Sequence, residues 1–447
     1  MAVFICSKCE AQFPKWLGQC SQCGAWGTIT EQESEERLKG INFSGKSAID
    51  FSQINQDEDV RIKTGLEEVD RVLGGGVISE SLILLGGQPG IGKSTLILQI
   101  ANQLACPANS GVNQPVFYVS GEESAQQVKM RLNRLNLSPD NWKFLGETDI
   151  NFVIADLKKF RPKIIIIDSI QTMILNGLGS EAGSINQVRA CTAKLREIAK
   201  ELEAVIFIIS HVTKEGIMAG PKTLEHLVDV VLYLEGDPAH HFRFLKAAKN
   251  RFGSTNEIGV FDMQSQGLVQ VANPSKLFLA NRNLKISGSI VVPVVEGNRS
   301  FLVEIQALVS RTSFGYPQRK STGFDLNRLG LLIAVLIKRC GLNLSNQDVH
   351  INIVGGLQVR EPAVDLGVGL AIASALKNKP IDPEVAVFGE VGLGGEIRGV
   401  RAAEKRIKEA TKIGFKKIIC PSTSDFLETK IKITQVKSLS EAIAQLC

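Results

Sequence analysis

Gly87-Gln-Pro-Gly-Ile-Gly92-Lys93-Ser94 follows the apolar run SLILLGG at 81–87 and opens an amphipathic stretch, TLILQIANQLA, at 95–105. It fits G-x-x-x-x-G-K-[ST], and the strand before and helix after are the context that separates a phosphate-binding loop from a chance match. Glycines let backbone N–H groups approach phosphate oxygens, and the N-terminus of the following helix adds a favourable dipole. Lys93 is expected to reach the β and γ oxygens of ATP and Ser94 to ligate Mg²⁺. Gly87, Gln88, Pro89, Gly90, Ile91, Gly92 and Thr95 are the remaining expected nucleotide contacts.

Outward from this loop, short apolar runs alternate with amphipathic stretches: VFYVSGEE at 116, KIIIID at 163, AVIFIISH at 204 and VDVVLYLE at 228. Continuous apolar strands between helices predict an α/β domain, a mostly parallel sheet with helices on both faces, over 60–272. Asp168 ends the all-apolar run Ile164 to Ile167, where an acid would hold the Mg²⁺ shell. Glu122, in Ser120-Gly-Glu-Glu-Ser124 at the end of the run after the P-loop helix, could polarise the attacking water. Glu123 competes for that role, and both glutamates could instead merely begin the next helix.

At the N-terminus, Cys6, Cys9, Cys20 and Cys23 form C-x2-C, ten intervening residues, and C-x2-C. Two such knuckles can surround one tetrahedral Zn²⁺ with four thiolates and leave no open position, so a structural zinc ribbon is expected over 1–30. So short a module would hardly fold without its ion. A redox dithiol is the alternative, but neither pair lies in the βαβ context that such a motif wants. Trp16 and Trp26 would cover the site or present a contact surface. Residues 31–59 hold eight acids and three bases and read as an acidic linker.

The net charge is 51 − 46 = +5, unevenly spread: from 276 onward 24 Lys/Arg stand against 15 Asp/Glu. A basic half beside an acidic linker hints at a polyanionic partner. The other five of the nine cysteines are scattered singly and make no disulfide framework. No signal peptide and no apolar run of spanning length is visible, so a cytoplasmic protein with no membrane partner is expected. ANPSKLFL at 272–279 reads as a boundary, followed by a second, α+β domain over 273–447 built from SGSIVVPVVEG, FLVEIQALVS and LNRLGLLIAVLIKRC.

In order and kind, these elements resemble the RecA-type ATPase core rather than an AAA+ module or a GTPase. Lys249-Asn-Arg-Phe-Gly253, with the C4 module before the core and a Lon-like domain after it, is similar over essentially the whole chain to the RadA (Sms) family of bacterial DNA repair proteins. The resemblance implies a homo-oligomeric ring, by analogy a hexamer, with Lys249 and Arg251 of one subunit completing the site of the next. It implies a γ-phosphate sensor at His211. It further implies two channel loops, at 175–184 and 212–223, the second offering Lys214 and Lys222 to DNA phosphates. The tail from about 286 resembles the Lon protease domain in Glu361-Pro-Ala-Val-Asp-Leu-Gly367, but Gly367 stands where the nucleophilic serine belongs and Glu404 where its lysine belongs. Without nucleophile and base there is no proteolysis.

On that scaffold Arg401, Lys405, Lys408 and Lys412, spaced by 4, 3 and 4, would line one helix face, a stripe suited to a phosphate backbone. Arg311, Arg319 and Lys320 add to it. The expected function is a DNA-dependent ATPase of the cytoplasm and nucleoid that translocates on single-stranded or branched DNA. It would drive branch migration and heteroduplex extension in recombinational repair, with the strand-exchange recombinase RecA as partner. An ATP-dependent protease and a RecA-fold autokinase or signalling ATPase are the alternatives.

Overall fold

The structure is a computed structural model that describes residues 3–8, 11–13, 15–32, 61–105, 114–211, 221–236, 241–280, 282, 286–313, 315–422 and 430–446. The chain divides into two compact units, Met1–Asp59 and Val60–Cys447.

The smaller unit is a three-stranded antiparallel sheet with β1 (Val3–Cys6) between β2 (Gln12–Phe13) and β3 (Ile29–Gln32). Its buried apolar residues among those described are Cys6, Cys20 and Ile29, so the core consists largely of cysteine sulfur. Glu31 and Gln32 finish β3 rather than start a linker. The linker expected up to residue 59 lies, from residue 33, outside the described residues.

In the larger unit a nine-stranded sheet has the order β12-β11-β10-β9-β4-β8-β7-β5-β6. In chain order its strands are β4 (Leu82–Gly86), β5 (Val116–Ser120), β6 (Trp142–Leu145), β7 (Ile164–Asp168), β8 (Val205–Ile209), β9 (Val230–Glu235), β10 (Phe242–Asn250), β11 (Ile258–Gln264) and β12 (Gly267–Gln270). From β9 to β6 the pairing is parallel, and β10 to β12 extend it antiparallel. The apolar runs form the central strands because each is buried on both faces: Ile83, Leu85, Ile164 and Ile166 join one core cluster, and Leu82, Leu84, Ile165 and Ile167 join the other. Helix Lys93–Ala105 covers the first face and helices Ile150–Phe160 and Ile185–Leu202 the second. The chain leaves β4 for β5 on one side and returns to β9 on the other, so the strand order reverses at the carboxyl end of β4. Open α/β sheets bind their ligands at such a point.

The C-terminal domain is a mixed α+β layer. Its strands are β13 (Ser289–Glu296), β14 (Arg299–Arg311), β15 (Arg319–Thr322), β16 (Gln347–Ile353), β17 (Val385–Val387), β18 (Glu390–Val391), β19 (Ile397–Arg398), β20 (Lys417–Pro421) and β21 (Lys432–Val436). Seven of them form one sheet of order β15-β16-β14-β13-β17-β20-β21, with β18 and β19 paired apart.

This domain and the ATPase sheet belong to one compact unit because one core runs through both. Phe244, Ile258 and Val260 of the ATPase sheet share a cluster with Val292, Phe301 and Leu302. The segment expected as a boundary is a short buried helix, Pro274–Phe278, whose Asn273 side chain caps Lys276 N at 3.1 Å. Phe278 packs edge-on to Phe242 at 5.0 Å and tilted to Phe301 at 5.9 Å. Glu68, 2% exposed, accepts from Val260 N at 2.8 Å and pairs with Arg299, whose guanidinium also donates to Ala272 O at 3.0 Å. Arg299→Ala would remove the buried partner of this carboxylate and leave it only the more exposed Arg71, 3.3 Å away. Breaking a buried pair in this way costs about 3–5 kcal/mol, so the thermal midpoint is expected to fall by several degrees; a drop of under a degree would show that the pair does not hold the domains.

Candidate functional site

Lys93 is 4% exposed, and its Nζ donates to Gly87 O at 2.9 Å and Gln88 O at 3.0 Å and lies 3.2 Å from His211 Nδ1. Burial lowers its pKa to about 8 against the opposing pull of Asp168 and Glu122. A phosphate arriving beside it favours the charged form and opposes this shift. Gly87, at φ +155°, cannot carry a side chain, because a Cβ would sit 2.6 Å from Leu234 O. Gly92 is at φ +111°, Thr95 is buried, and Pro89 and Gly90 stand exposed at the loop's rim.

Asp168 ends β7 with 4% exposure and accepts from the Tyr118 hydroxyl at 2.6 Å. Burial raises its carboxyl above the usual range, while hydrogen bonds from Tyr118 and Ser94 hold it down. Ser94 and Asp168 thus lie together, as hard oxygen donors suited to Mg²⁺.

The two neighbouring glutamates part company. Glu123 is gripped by both terminal nitrogens of Arg131, one at 2.7 Å, so its carboxylate is already engaged. Glu122 accepts from Ser169 Oγ at 2.6 Å, and its Oε2 is 3.6 Å from His211 Nε2. Oxygen or nitrogen atoms of Glu122, Asp168 and His211 all lie within 4.8 Å of one another. Neither glutamate begins the next helix: it starts at Ala125, capped by Ser124 in a capping box with Gln127. Burial first, then Lys93, keeps the His211 imidazole below its usual pKa, with Glu122 and Asp168 opposing. Tyr118, Ser169, Arg131 and Gln171, which donates to Ser210 Oγ at 2.8 Å, were not legible as site residues, because each acts through a tertiary partner that spacing does not reveal.

Lys249 and Arg251 lie elsewhere. Lys249 Nζ donates to Glu225 O at 2.6 Å and Val228 O at 2.8 Å; Arg251 pairs with Asp229 at 2.9 Å. Asp229 in turn accepts from Leu82 N at 3.0 Å, at the start of β4, whereas the P-loop follows its end. At roughly 3.3 Å per residue the two ends are about 13 Å apart. Within one chain, then, this pair does not meet the P-loop.

In the small unit the sulfurs of Cys6, Cys20 and Cys23 lie within 4.8 Å of one another, Cys6 and Cys23 at 3.7 Å. Cys9 lies outside the described residues. Clustered thiols are the soft donor set that Zn²⁺ takes, and they fit it. Trp16 and Trp26 are 59% and 75% exposed, so most of both rings faces solvent rather than covering the sulfurs.

The expected DNA contacts fare unevenly. Lys214 and most of 212–223 lie outside the described residues; Lys222 is exposed on the short helix Pro221–Leu224. Loop 175–184 is anchored at its base by Gln187, which donates to Leu175 O at 3.2 Å and Ser180 O at 2.9 Å. Lys405, Lys408 and Lys412 are exposed on helix Ala403–Ile413, but Arg401 is not part of that face: Ala402, at φ +55°, caps the helix after it. Arg319 is not free for phosphates either, since it donates to the carbonyls of Gln318, Leu344 and Gln347; Arg311 and Lys320 are exposed. Gly367 lies buried in helix Asp365–Lys377, where a Cβ would collide with Val292, so even the first atom of a serine side chain has no room. Glu404 is exposed and 3.8 Å from Lys408.

Among the described residues no helix is long and apolar enough to cross a membrane. A P-loop at a sheet switch point, an acid two strands away and carboxylates around it define a P-loop ATPase, here with a cysteine metal ribbon before it. The family model "AAA domain" matches residues 50–216, "Rubredoxin metal binding domain" 4–31 and "Subunit ChlI of Mg-chelatase" 332–424. DNA repair protein RadA of Bacillus subtilis is 46% identical over 98% of this chain and 97% of its own, and that of Streptococcus pyogenes serotype M6 is 48% identical over 95% and 93%. The chain belongs to the RadA family. A solved KaiC-like protein from Pyrococcus horikoshii is 20% identical, covering 47% of this chain and 98% of its own with a TM-score of 0.39.

Proposed function

We propose that this chain is a DNA repair ATPase that works in recombination as a ring, with each nucleotide site completed by the neighbouring subunit. The observation that carries this reading is the separation of the charged groups: Lys93, Asp168 and Glu122 gather at one end of the sheet, while Lys249 and Arg251 stand together at the other. A second copy can present that far end to the first copy's γ-phosphate.

Glu122 is positioned to take the proton of an attacking water, with Ser169 holding one oxygen and leaving the other for the water. Lys93 anchors the β and γ oxygens, and His211, in contact with both Lys93 and Glu122, feels whether the γ-phosphate is present. Mg²⁺, held through Ser94 and Asp168, neutralises phosphate charge when bound. Positive charge arriving in trans from Lys249 and Arg251 would stabilise the transition state and tie hydrolysis to subunit movement.

Lys222, Lys405, Lys408 and Lys412, all exposed, suit sequence-independent contact with a phosphate backbone. On this basis the substrate is single-stranded or branched DNA, hydrolysis is DNA-stimulated, and translocation drives branch migration and heteroduplex extension. A six-subunit ring, a partnership with the recombinase RecA and a cytoplasmic, nucleoid-associated location complete the reading. The domain limits that go with it are a ribbon, expected at 1–30, that runs on to Gln32 where β3 ends, a linker from there to 59, a motor at 60–272 and a Lon-like domain, proteolytically inactive, at 273–447.

Mixing two dead variants tests the trans site. Lys93→Ala and Lys249→Ala alone are each expected to be inactive, and mixed oligomers should regain about a quarter of the wild-type rate, because some interfaces then pair two intact halves. Mixtures as inactive as the separate variants would place both lysines in one subunit's site.

A further inference from the structure

Beside the P-loop, on the β9 side, lies a cleft of about 790 Å³ whose far wall belongs to the C-terminal domain. Gln88 of the loop, Glu235 at the end of β9 and Lys246 of β10 face Glu296, Gln358 and Arg360 across it. We propose that this cleft holds the nucleoside end of the bound nucleotide, with the guanidinium of Arg360 against the base, so that the C-terminal domain reads occupancy of the ATPase site in the same chain. The proposal rests on the ATP-site reading above and extends it.

Direction is the first argument. Asp168 and Glu122 fix the γ-phosphate end toward β7 and β5, on one side of β4, whereas the cleft opens on the opposite side, toward β9. A nucleotide lying along the loop with its phosphates on Lys93 therefore points its sugar and base into the cleft.

Charge is the second. Lys246 lies between Glu235 at 3.4 Å and Glu296 at 3.3 Å, and with Arg360 the four formal charges cancel. A site for a polyphosphate would carry excess positive charge. This one offers carboxylates that can accept from ribose hydroxyls and one cation for a neutral, planar base.

Preorganisation is the third. In the loop after β16, Leu357 and Val359 are each 2% exposed and Val359 N donates to Gly323 O at 2.8 Å, so the alternating residues Gln358 and Arg360 are held outward. Arg360 is exposed, and no ion pair to a carboxylate is seen for it among the described residues, which leaves its planar face available to an aromatic ring. Lys246 and Glu296 come from the two different sheets, so their ion pair fixes the cleft's width.

The test compares two ligands on the full-length, zinc-loaded protein by titration calorimetry: ADP, which would use loop and cleft, and inorganic tripolyphosphate, which would use the loop alone. For Arg360→Ala, ADP affinity is expected to fall about thirtyfold, the size of a desolvated cation–π contact, with tripolyphosphate affinity and melting temperature unchanged. Arg360→Lys, which keeps the charge and loses the planar face, should recover only part of the ADP affinity. Unchanged ADP binding in Arg360→Ala, or an equal loss for both ligands, overturns the proposal. Lys93→Ala is the control for the underlying reading: it should weaken both ligands, and if it weakens neither, the P-loop assignment itself fails.

Discussion

Glu122→Gln is expected to bind ATP as the wild type does and to hydrolyse it about 10²–10⁴-fold more slowly, the span that a positioned general base contributes. The amide keeps the hydrogen bond from Ser169 and the shape of the turn, but cannot accept a proton from water. Glu123→Gln serves as the contrast. Its carboxylate is engaged by Arg131 on the next helix, so the change weakens that link, at a cost of about 1–3 kcal/mol for a hydrogen-bonded charge, and leaves hydrolysis within a few-fold. Single-turnover rates for the two variants separate the roles. If Glu123→Gln were the slower of the two, the assignment would reverse.

Removing zinc has the second large effect. The ribbon's fully buried apolar residues, among those described, are Cys6, Cys20 and Ile29, and the first two are themselves proposed ligands. Among the described residues only the partly buried Phe4, Ala11, Phe13 and Leu17 pack against them, so most of the stabilisation must come from the metal, which supplies roughly 10–16 kcal/mol in comparable small sites. A strong chelator, or Cys20→Ser, is therefore expected to open residues 1–30 to protease while the larger unit, with its own continuous cores, keeps its melting temperature. Proteolytic resistance of the ribbon after verified loss of zinc would contradict this.

The central sheet was legible because β4, β5, β7, β8 and β9 are buried on both faces, which makes each a continuous apolar run beside turn residues. The antiparallel extension β10 to β12 was not, since residues such as Arg243, Lys246 and Lys249 interrupt the apolar pattern and take their partners from distant parts of the chain. The same limit applies at the site. Lys93, Asp168 and Glu122 announce themselves by local context, but the grip of Arg131 on Glu123 and the bond from Tyr118 to Asp168 are tertiary. Arg401 misled because spacing assumes an unbroken helix, and a single left-handed residue at Ala402 ends that assumption. Arg319 misled because basic residues are normally solvated, whereas this one closes backbone carbonyls at the start of β16. The interface between the sheets, with Glu68 and Arg299 far apart in sequence, left no local trace at all.

A motor of this kind must answer to DNA. The direct measurement is ATP hydrolysis by the purified full-length protein with and without single-stranded and forked DNA, at two salt concentrations, beside Lys93→Ala as the inactive reference. DNA is expected to raise the rate, added salt to weaken the effect because backbone contacts release counterions, and Lys93→Ala to show no rate to raise. A wild-type rate indifferent to both DNAs at low salt would contradict this.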